Sequence, residues 1–297
     1  MVTVVDMMIE PRRRDLGGFE VGRVLPYMHR RSIGPFIFFD HMGPAIFAPG
    51  KGIDVRAHPH IGLATVTYLF EGAFMHRDSL GTVQRIVPGD VNWMTAGRAI
   101  VYSKRSPDDL RAAGRRVHGI QSWVALPKEA EETAAAFVHH PGATLPVVTQ
   151  EGVVLRVIAG TAYGVTSPVK VLSPTLYVEA QLAARATLAI SAEHAERAVY
   201  VVEGALEIEG NAVPELQMAV LTPGVLAHIT ATVASRVMIL GGAPLDAPRQ
   251  MWWNFVASSD ALMQRAKVEW AAAPTQNWSG EFKLPPGESE FIPLPEA

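Results

Sequence analysis

An internal repeat constrains the fold of this chain more than any other feature. Tyr68, Glu71, Gly72 and Ala73 recur as Tyr200, Glu203, Gly204 and Ala205, and Thr95-Ala96-Gly97 corresponds to Thr222-Pro223-Gly224. Because both correspondences occur in the same order at nearly the same offset, the chain is predicted to contain two copies of one domain. We place the N-terminal domain at residues 1–135. The C-terminal domain, at 136–297, then includes a C-terminal helix and an extended tail.

Both copies have the pattern of an all-β protein. Short apolar runs are separated by Gly- and Pro-containing turns, and the predicted strands include 64–70, 73–78, 82–87 and 117–126. Runs of this length and spacing are typical of sandwiches and barrels. The segment Asp40–Pro44 has turn chemistry and is predicted to end a strand.

A few short helices are expected beside the strands. Lys128–Ala136 is rich in strong helix formers and follows Pro127, so it is predicted to be helical. The following segment, His139–Gly142, is predicted to be a surface loop. A second helix is predicted from about Asp260 to Trp270, with a serine cap before it.

Composition excludes several classes of function. Of 297 residues, 48% are hydrophobic, which is enough for a large core, and the net charge of −3 gives no reason to expect nucleic-acid binding. The chain has no cysteine, so disulfides, thiolate metal sites and cysteine nucleophiles are excluded. No apolar run reaches the ~18 residues of a membrane helix. We therefore expect a soluble cytoplasmic protein.

The stretch His58-Pro59-His60 is the clearest candidate for a functional site. Side chains alternate between the two faces of a strand, so two histidines one residue apart point the same way. A β-barrel can aim two imidazole nitrogens at one metal ion in this manner. The histidine pair therefore raises the question of whether the chain supplies further ligands.

The spacing around these histidines resembles the first cupin motif. Gly52 precedes His58 by six positions, Gly72 follows His60 by twelve, and Thr65 stands where many cupins have a glutamate ligand. Longer segments resemble the pirin family of two-barrel cupins: FDH (39–41), HPHIGLATVTYLFEG (58–72), MHRDSLG (75–81), PGDVNWMTAGR (88–98), HGIQSWVALP (118–127) and MWWNF (251–255). The resemblance implies two cupin β-barrels, a bicupin. It also implies one iron or similar metal in the N-terminal barrel, held by three histidines and a glutamate. Some pirins resemble quercetinases in activity.

The residues carried over from the family give an incomplete ligand set. The first two ligand positions fall on His58 and His60, whereas the family histidine and glutamate positions fall on Tyr102 and Lys104. A Glu-to-Lys exchange removes an anion and adds a cation beside a divalent ion. Lys104 is expected either to point inward and occupy the metal's place or to extend outward toward solvent. No cofactor is expected unless another group rescues the site for iron or another divalent metal.

Three functions are compatible with this pattern. The first is a pirin without its metal that acts as a non-catalytic or regulatory binding protein, with an unidentified protein partner or a small aromatic ligand. The second is a metal-dependent dioxygenase of the quercetin 2,3-dioxygenase type. The third is a metal-free enzyme that uses Lys104 and Tyr102 as acid–base groups.

The remaining candidates are assigned structural roles. His76 and His118 are expected to be structural, and His41 is a minor candidate for the site. Trp252 and Trp253 are expected to pack in a core or an interface. In the second copy, Ile190 and Ala192 stand at the positions of the histidine pair, so no ligand set is expected there.

Overall fold

Short strands make up most of the computed structural model, which describes residues 3–15 and 19–296. Those of the N-terminal half are β1 (Val5–Ile9), β2 (Arg12–Asp15), β3 (Glu20–Leu25), β4 (Phe36–Phe47), β5 (Asp54–His60), β6 (Leu63–Glu71), β7 (Phe74–Asp78), β8 (Val83–Ile86), β9 (Val91–Thr95), β10 (Ile100–Arg105), β11 (Arg115–Ala125) and β12 (Ala136–His140). Those of the C-terminal half are β13 (Val147–Gln150), β14 (Val153–Ala162), β15 (Val165–Thr166), β16 (Thr175–Leu182), β17 (Thr187–Ile190), β18 (Glu196–Glu203), β19 (Ala205–Ile208), β20 (Asn211–Pro214), β21 (Met218–Leu221), β22 (Ala227–Ala231), β23 (Ser235–Gly242), β24 (Gln250–Trp252) and β25 (Phe255–Ala257). The α-helices of the described residues are α1 (Asp108–Ala113) and α2 (Asp260–Ala272).

The prediction of an all-β fold with few short helices is confirmed. The described residues fall into two compact units, one of residues 3–15, 20–40 and 143–245, and the other of 19, 41–142 and 246–296. This grouping assigns the chain ends differently from the predicted division at 135/136. The reason is that β1 pairs antiparallel with β21, whereas α2 buries Met263 and Trp270 against Ala57.

The unit that contains residues 143–245 has an aliphatic interior. One sheet runs in the order β1-β21-β18-β23-β16-β14-β13, and a second runs β17-β22-β19-β20. Their inward side chains form a single cluster of Val, Leu, Ile and Ala, in which Ile190 is buried. The position equivalent to His58 is therefore part of the core of this unit.

The other unit carries the histidine pair. One of its sheets has the order β5-β10-β7-β8, and another contains the run β12-β9-β6-β11-β4. The strands predicted at 64–70 and 117–126 correspond to β6 and β11, which pair antiparallel. The helix predicted after Asp260 is also confirmed, because α2 begins there and the Ser259 side chain accepts a hydrogen bond from the Leu262 N–H at 3.3 Å.

Three local predictions are wrong. Lys128–Ala136 is not an α-helix: only Lys128–Ala130 forms a 3-10 turn, and β12 begins at Ala136 and pairs with β9. His139 consequently lies in a strand rather than a loop, where its Nδ1 contacts the Asn92 Oδ1 at 2.7 Å. The turn predicted at Asp40–Pro44 lies inside the long strand β4. In all three places long-range strand pairing overrides local propensity.

Within the described ranges, no helix is long and apolar enough to cross a membrane.

Candidate functional site

His58 and His60 lie side by side on β5, with their ring centroids 5.1 Å apart. The Nδ1 of His58 lies 2.8 Å from the Arg56 carbonyl oxygen, and the Nδ1 of His60 lies 3.1 Å from the Asn254 carbonyl oxygen. A carbonyl can only accept a hydrogen bond, so both Nδ1 atoms carry the proton in the neutral ring. The Nε2 atoms are therefore the ones left with a lone pair. The Nε2 of His60 is buried and has no hydrogen-bond partner among the described residues.

Tyr102 and Lys104 come from β10, which pairs with β5. The Tyr102 ring lies 4.5 Å from the His58 ring and 5.4 Å from the His60 ring, measured between centroids. The structure therefore brings Tyr102 together with both histidines, as the alternation of the two strands implies. Its phenol carries the proton, because burial raises the pKa of Tyr102.

Lys104 points into the interior of the unit, toward β6 and β11, and is only 6% exposed. Its Nζ donates hydrogen bonds to the Gln121 Oε1 and to the Thr67 Oγ1, the latter at 3.3 Å. It also lies 5.2 Å from the centroid of the Phe74 ring. Of the two orientations considered from the sequence, the structure has the inward one.

Burial controls the charge states of the site. It lowers the pKa of Lys104 to about 7 and that of His58 to about 4, and the nearby Lys104 charge lowers the His58 value further. The pKa of His60 is also well below its usual value, chiefly because of burial. Near neutral pH the two histidines are therefore neutral, and Lys104 is the group that changes its charge.

The wall of the site is completed by residues that the sequence assigned to structural roles or did not single out. His76 forms a 2.9 Å contact with the Asp78 carboxylate and stacks on Tyr102 at 5.3 Å between centroids, which agrees with a structural role. Gln121 was not predicted, although it shares the inward face of β11 with Trp123 at a spacing of two residues. His41 instead contacts the His118 ring, with their Nε2 atoms 2.7 Å apart.

The residues present do not fit the family's metal. Across residues 3–15 and 19–296, no three His, Asp or Glu side chains are grouped so that they could hold a metal ion. The imidazoles of His58 and His60 face the protonated phenol of Tyr102. The fourth position holds the Lys104 amine, which is hydrogen-bonded to an amide oxygen and a hydroxyl. Iron(II) sites of this class combine histidines with a carboxylate, whose negative charge balances the metal.

Gly62 lies just after the histidine strand and allows the chain to approach the β24–β25 hairpin closely. This hairpin carries the Asn254 carbonyl. Gly62 has a φ of +67°, and an added Cβ would lie 2.0 Å from the Val256 carbonyl oxygen. We expect Gly62→Ala to lower the free energy of unfolding by about 2–3 kcal/mol, since it combines backbone strain with a clash. Gly81→Ala is the matched control, because Gly81 has a φ of +89° and open space around it. Urea unfolding of both variants measures the difference, and equal losses would contradict the role of the clash.

Comparison with known proteins agrees with this architecture. Residues 18–124 match the family model described as Pirin, and residues 177–275 match that of the Pirin C-terminal cupin domain. A pirin-like protein of Caulobacter vibrioides is 50% identical over 99% of this chain and 100% of its own length. A Pseudomonas aeruginosa protein, provisionally named a quercetin 2,3-dioxygenase, is 41% identical over 86% of this chain and 79% of its own.

A solved structure extends the similarity to nearly the whole chain. The crystal structure of a quercetin 2,3-dioxygenase from Acinetobacter baumannii superposes with a TM-score of 0.89 at 33% identity. The match covers 98% of this chain and 95% of that one. The fold and these matches together define a protein with two cupin domains. The chain belongs to the pirin family.

Proposed function

We propose that this protein is a metal-independent, non-catalytic member of the pirin family that acts as a regulatory binding protein. The observation that carries the proposal is the inward orientation of Lys104, whose Nζ is bonded to Gln121 and Thr67 beside His58 and His60. In this proposal the barrel holds its own cation where the resemblance implies a metal ion.

Electrostatics supports the exclusion of a divalent ion while Lys104 is protonated. Two unit charges 4 Å apart repel by roughly 4 kcal/mol at an effective dielectric constant of ~20, and a divalent ion doubles that figure. The described residues supply no cluster of carboxylates to offset this repulsion. His58 and His60 do not offset this repulsion either, because both rings are neutral near pH 7 and carry no negative charge.

A second function is favoured by one observation. The Nε2 lone pair of His60 is buried without a partner among the described residues, as an unused metal ligand would be. The similar Acinetobacter baumannii protein is named a quercetin 2,3-dioxygenase, and the Pseudomonas aeruginosa protein carries that name provisionally. The alternative is therefore a metal-dependent dioxygenase in which Lys104 loses its proton and moves aside.

Elemental analysis of the full chain, purified without chelators and equilibrated at pH 6, separates the two functions. We expect far less than one iron or nickel ion per chain, because Lys104 is protonated below its pKa of about 7. Flavonol consumption by the same sample is expected to equal the buffer blank. One tightly held metal ion per chain together with flavonol turnover would replace the first function with the second.

The cytoplasmic location and the absence of direct nucleic-acid binding remain predictions from the sequence.

A further inference from the structure

The C-terminal segment 284–294 covers the edge of the sheet that carries the site. In the order β5-β10-β7-β8, β5 is the end strand, so its outer backbone groups are open to pairing. The Ile292 N–H donates a 2.8 Å hydrogen bond to the Ala57 carbonyl, and Phe291 forms a parallel bridge with Ala57. The segment therefore occupies this edge as a short added strand would.

A carboxylate anchors the segment to the outer face of β10. The Glu288 side chain is only 4% exposed. It accepts hydrogen bonds from the Ser103 hydroxyl at 2.7 Å, from the Arg105 Nε at 2.9 Å and from its Nη2 at 2.5 Å. This two-pronged contact is the geometry by which arginine recognises carboxylates. Glu290 adds a weaker contact to Arg105 at 3.3 Å.

An aromatic residue forms the second anchor, three positions after the first. The Phe291 ring packs edge-on against Trp278, with centroids 5.0 Å apart, and against Trp270 at 6.1 Å. The Trp270 indole N–H donates to the Ile292 carbonyl at 3.2 Å. The groove under the segment is formed by Arg105, by Trp270 with Trp278, and by the outer edge of β5. It thus offers an arginine, an aromatic pocket and a strand edge in a fixed order.

This segment is held differently from the core. Apart from the bridge at Phe291 it belongs to no helix or strand, and Ser289 and Glu290 between the anchors are exposed. Terminal segments with few anchors open at a lower free energy than core strands do. Another extended segment with the same chemistry could then take its place by strand addition.

We infer that this groove is a peptide-binding site and that residues 284–294 are its intramolecular occupant. The partner it fits is an extended protein segment with a carboxylate side chain and, three residues later, an aromatic one. This inference rests on the proposed function in that it names the class of partner for a binding protein. It uses the outer face of β10, where Ser103 and Arg105 lie, whereas Lys104 faces the interior.

The tethered tail competes with any partner. A segment joined to its site by a short linker acts at an effective concentration in the millimolar range, so a free peptide binds the intact protein weakly. Weakening the anchors of the tail removes this competition. The affinity for a peptide supplied in solution should then rise.

Peptide binding to the full-length chain tests the inference. The receptor is the double variant Glu288→Ala with Phe291→Ala, and the probe is a fluorescent peptide with the sequence of residues 284–296. We expect the variant to bind this peptide at least tenfold more tightly than the wild-type protein does, measured by fluorescence anisotropy. Adding Arg105→Gln to the receptor should abolish the gain. A probe peptide with alanine at the two anchor positions should not bind.

Several outcomes would overturn the inference. The first is that the wild-type protein and the double variant bind the probe peptide with equal affinity. The second is that the two probe peptides bind equally well. The third is that the gain in affinity persists when Arg105→Gln is added. A wild-type dimer formed by exchange of tails, with no peptide binding, would assign the groove to a second copy instead. If the double variant does not fold, hydrogen exchange on the wild-type protein replaces it. Excess probe peptide should then lower the protection of the Ile292 amide, and unchanged protection counts against the inference.

Metal content measured on the same samples separates this inference from the proposed function. If the samples contain no metal and bind no peptide, only the inference of a peptide-binding groove is overturned. One metal ion per chain with flavonol turnover overturns only the metal-independent function.

Discussion

The double variant Tyr102→His with Lys104→Glu is expected to bind about one iron or nickel ion per chain, where the wild-type protein at pH 6 binds almost none. Both positions already face the histidine pair: the Tyr102 ring lies 4.5 Å from the His58 ring, and Lys104 points inward. The substitutions supply a third imidazole and a carboxylate. Together they create the histidine–carboxylate set that suits a non-haem metal.

Charge accounts for the size of the expected effect. Exchanging an ammonium for a carboxylate changes the charge beside the ion by two units. At ~4 Å and an effective dielectric constant of ~20, removing the repulsion alone is worth about 8 kcal/mol for a divalent ion. This corresponds to more than five orders of magnitude in affinity. His58 and His60 contribute ready lone pairs, because carbonyl oxygens hold both Nδ1 protons.

Elemental analysis and calorimetric titration with Fe(II) or Ni(II) measure the gain. The matched control is Tyr102→Phe with Lys104→Gln, which removes the same cation and phenol but adds no strong ligand. We expect the control to bind metal at least a hundredfold more weakly than the double variant. Equal binding by the two variants would mean that Lys104 alone excludes the metal. No metal binding by either variant would show that the interior cannot arrange the introduced histidine and glutamate side chains as metal ligands.

The central geometry of the site follows from local rules. Strand alternation places His58 and His60 on one face, and the structure has their rings 5.1 Å apart. The same rule applied to β10 pairs Tyr102 with Lys104. In the second copy, Ile190 stands at the position equivalent to His58, and the structure has it buried in an aliphatic core.

What could not be predicted depends on distant parts of the chain. The direction of Lys104 is set by acceptors on β6 and β11, and the Asn254 carbonyl that holds His60 is a backbone group with no side-chain signature. The segment Lys128–Ala136 has high helix propensity, yet Ala136 begins a strand because β9 offers a ladder partner. Propensity is a local quantity, and these outcomes depend on pairing between strands.

Replacing Lys104 with methionine is expected to stabilise the protein at pH 6 and to remove part of its dependence on pH. Burial lowers the pKa of Lys104 from 10.5 to about 7. Between these two pH values the unfolded chain holds a proton that the folded chain has released, so the free energy of unfolding rises with pH. The full penalty of the buried charge applies below pH 7. Its upper limit is on the order of 5 kcal/mol.

The difference in free energy of unfolding between Lys104→Met and the wild-type protein therefore has a defined sign and a defined pH range. The variant should be more stable by about 2–4 kcal/mol at pH 6, and this advantage should shrink steadily toward pH 10. Gln121 keeps a partner in the variant, because the Thr67 hydroxyl donates to its Oε1 at 2.9 Å. Methionine also fills similar space with a flexible apolar chain.

Urea unfolding at intervals from pH 6 to pH 10 measures this difference, with Lys170→Met as the control. Lys170 is exposed, so its substitution should change the free energy of unfolding only slightly. A Lys104→Met difference that is flat across the window would mean that the lysine keeps its usual pKa in the folded state. In that case the ammonium would stay protonated well above pH 7, and the repulsion that keeps a metal ion out of the barrel would extend to alkaline pH.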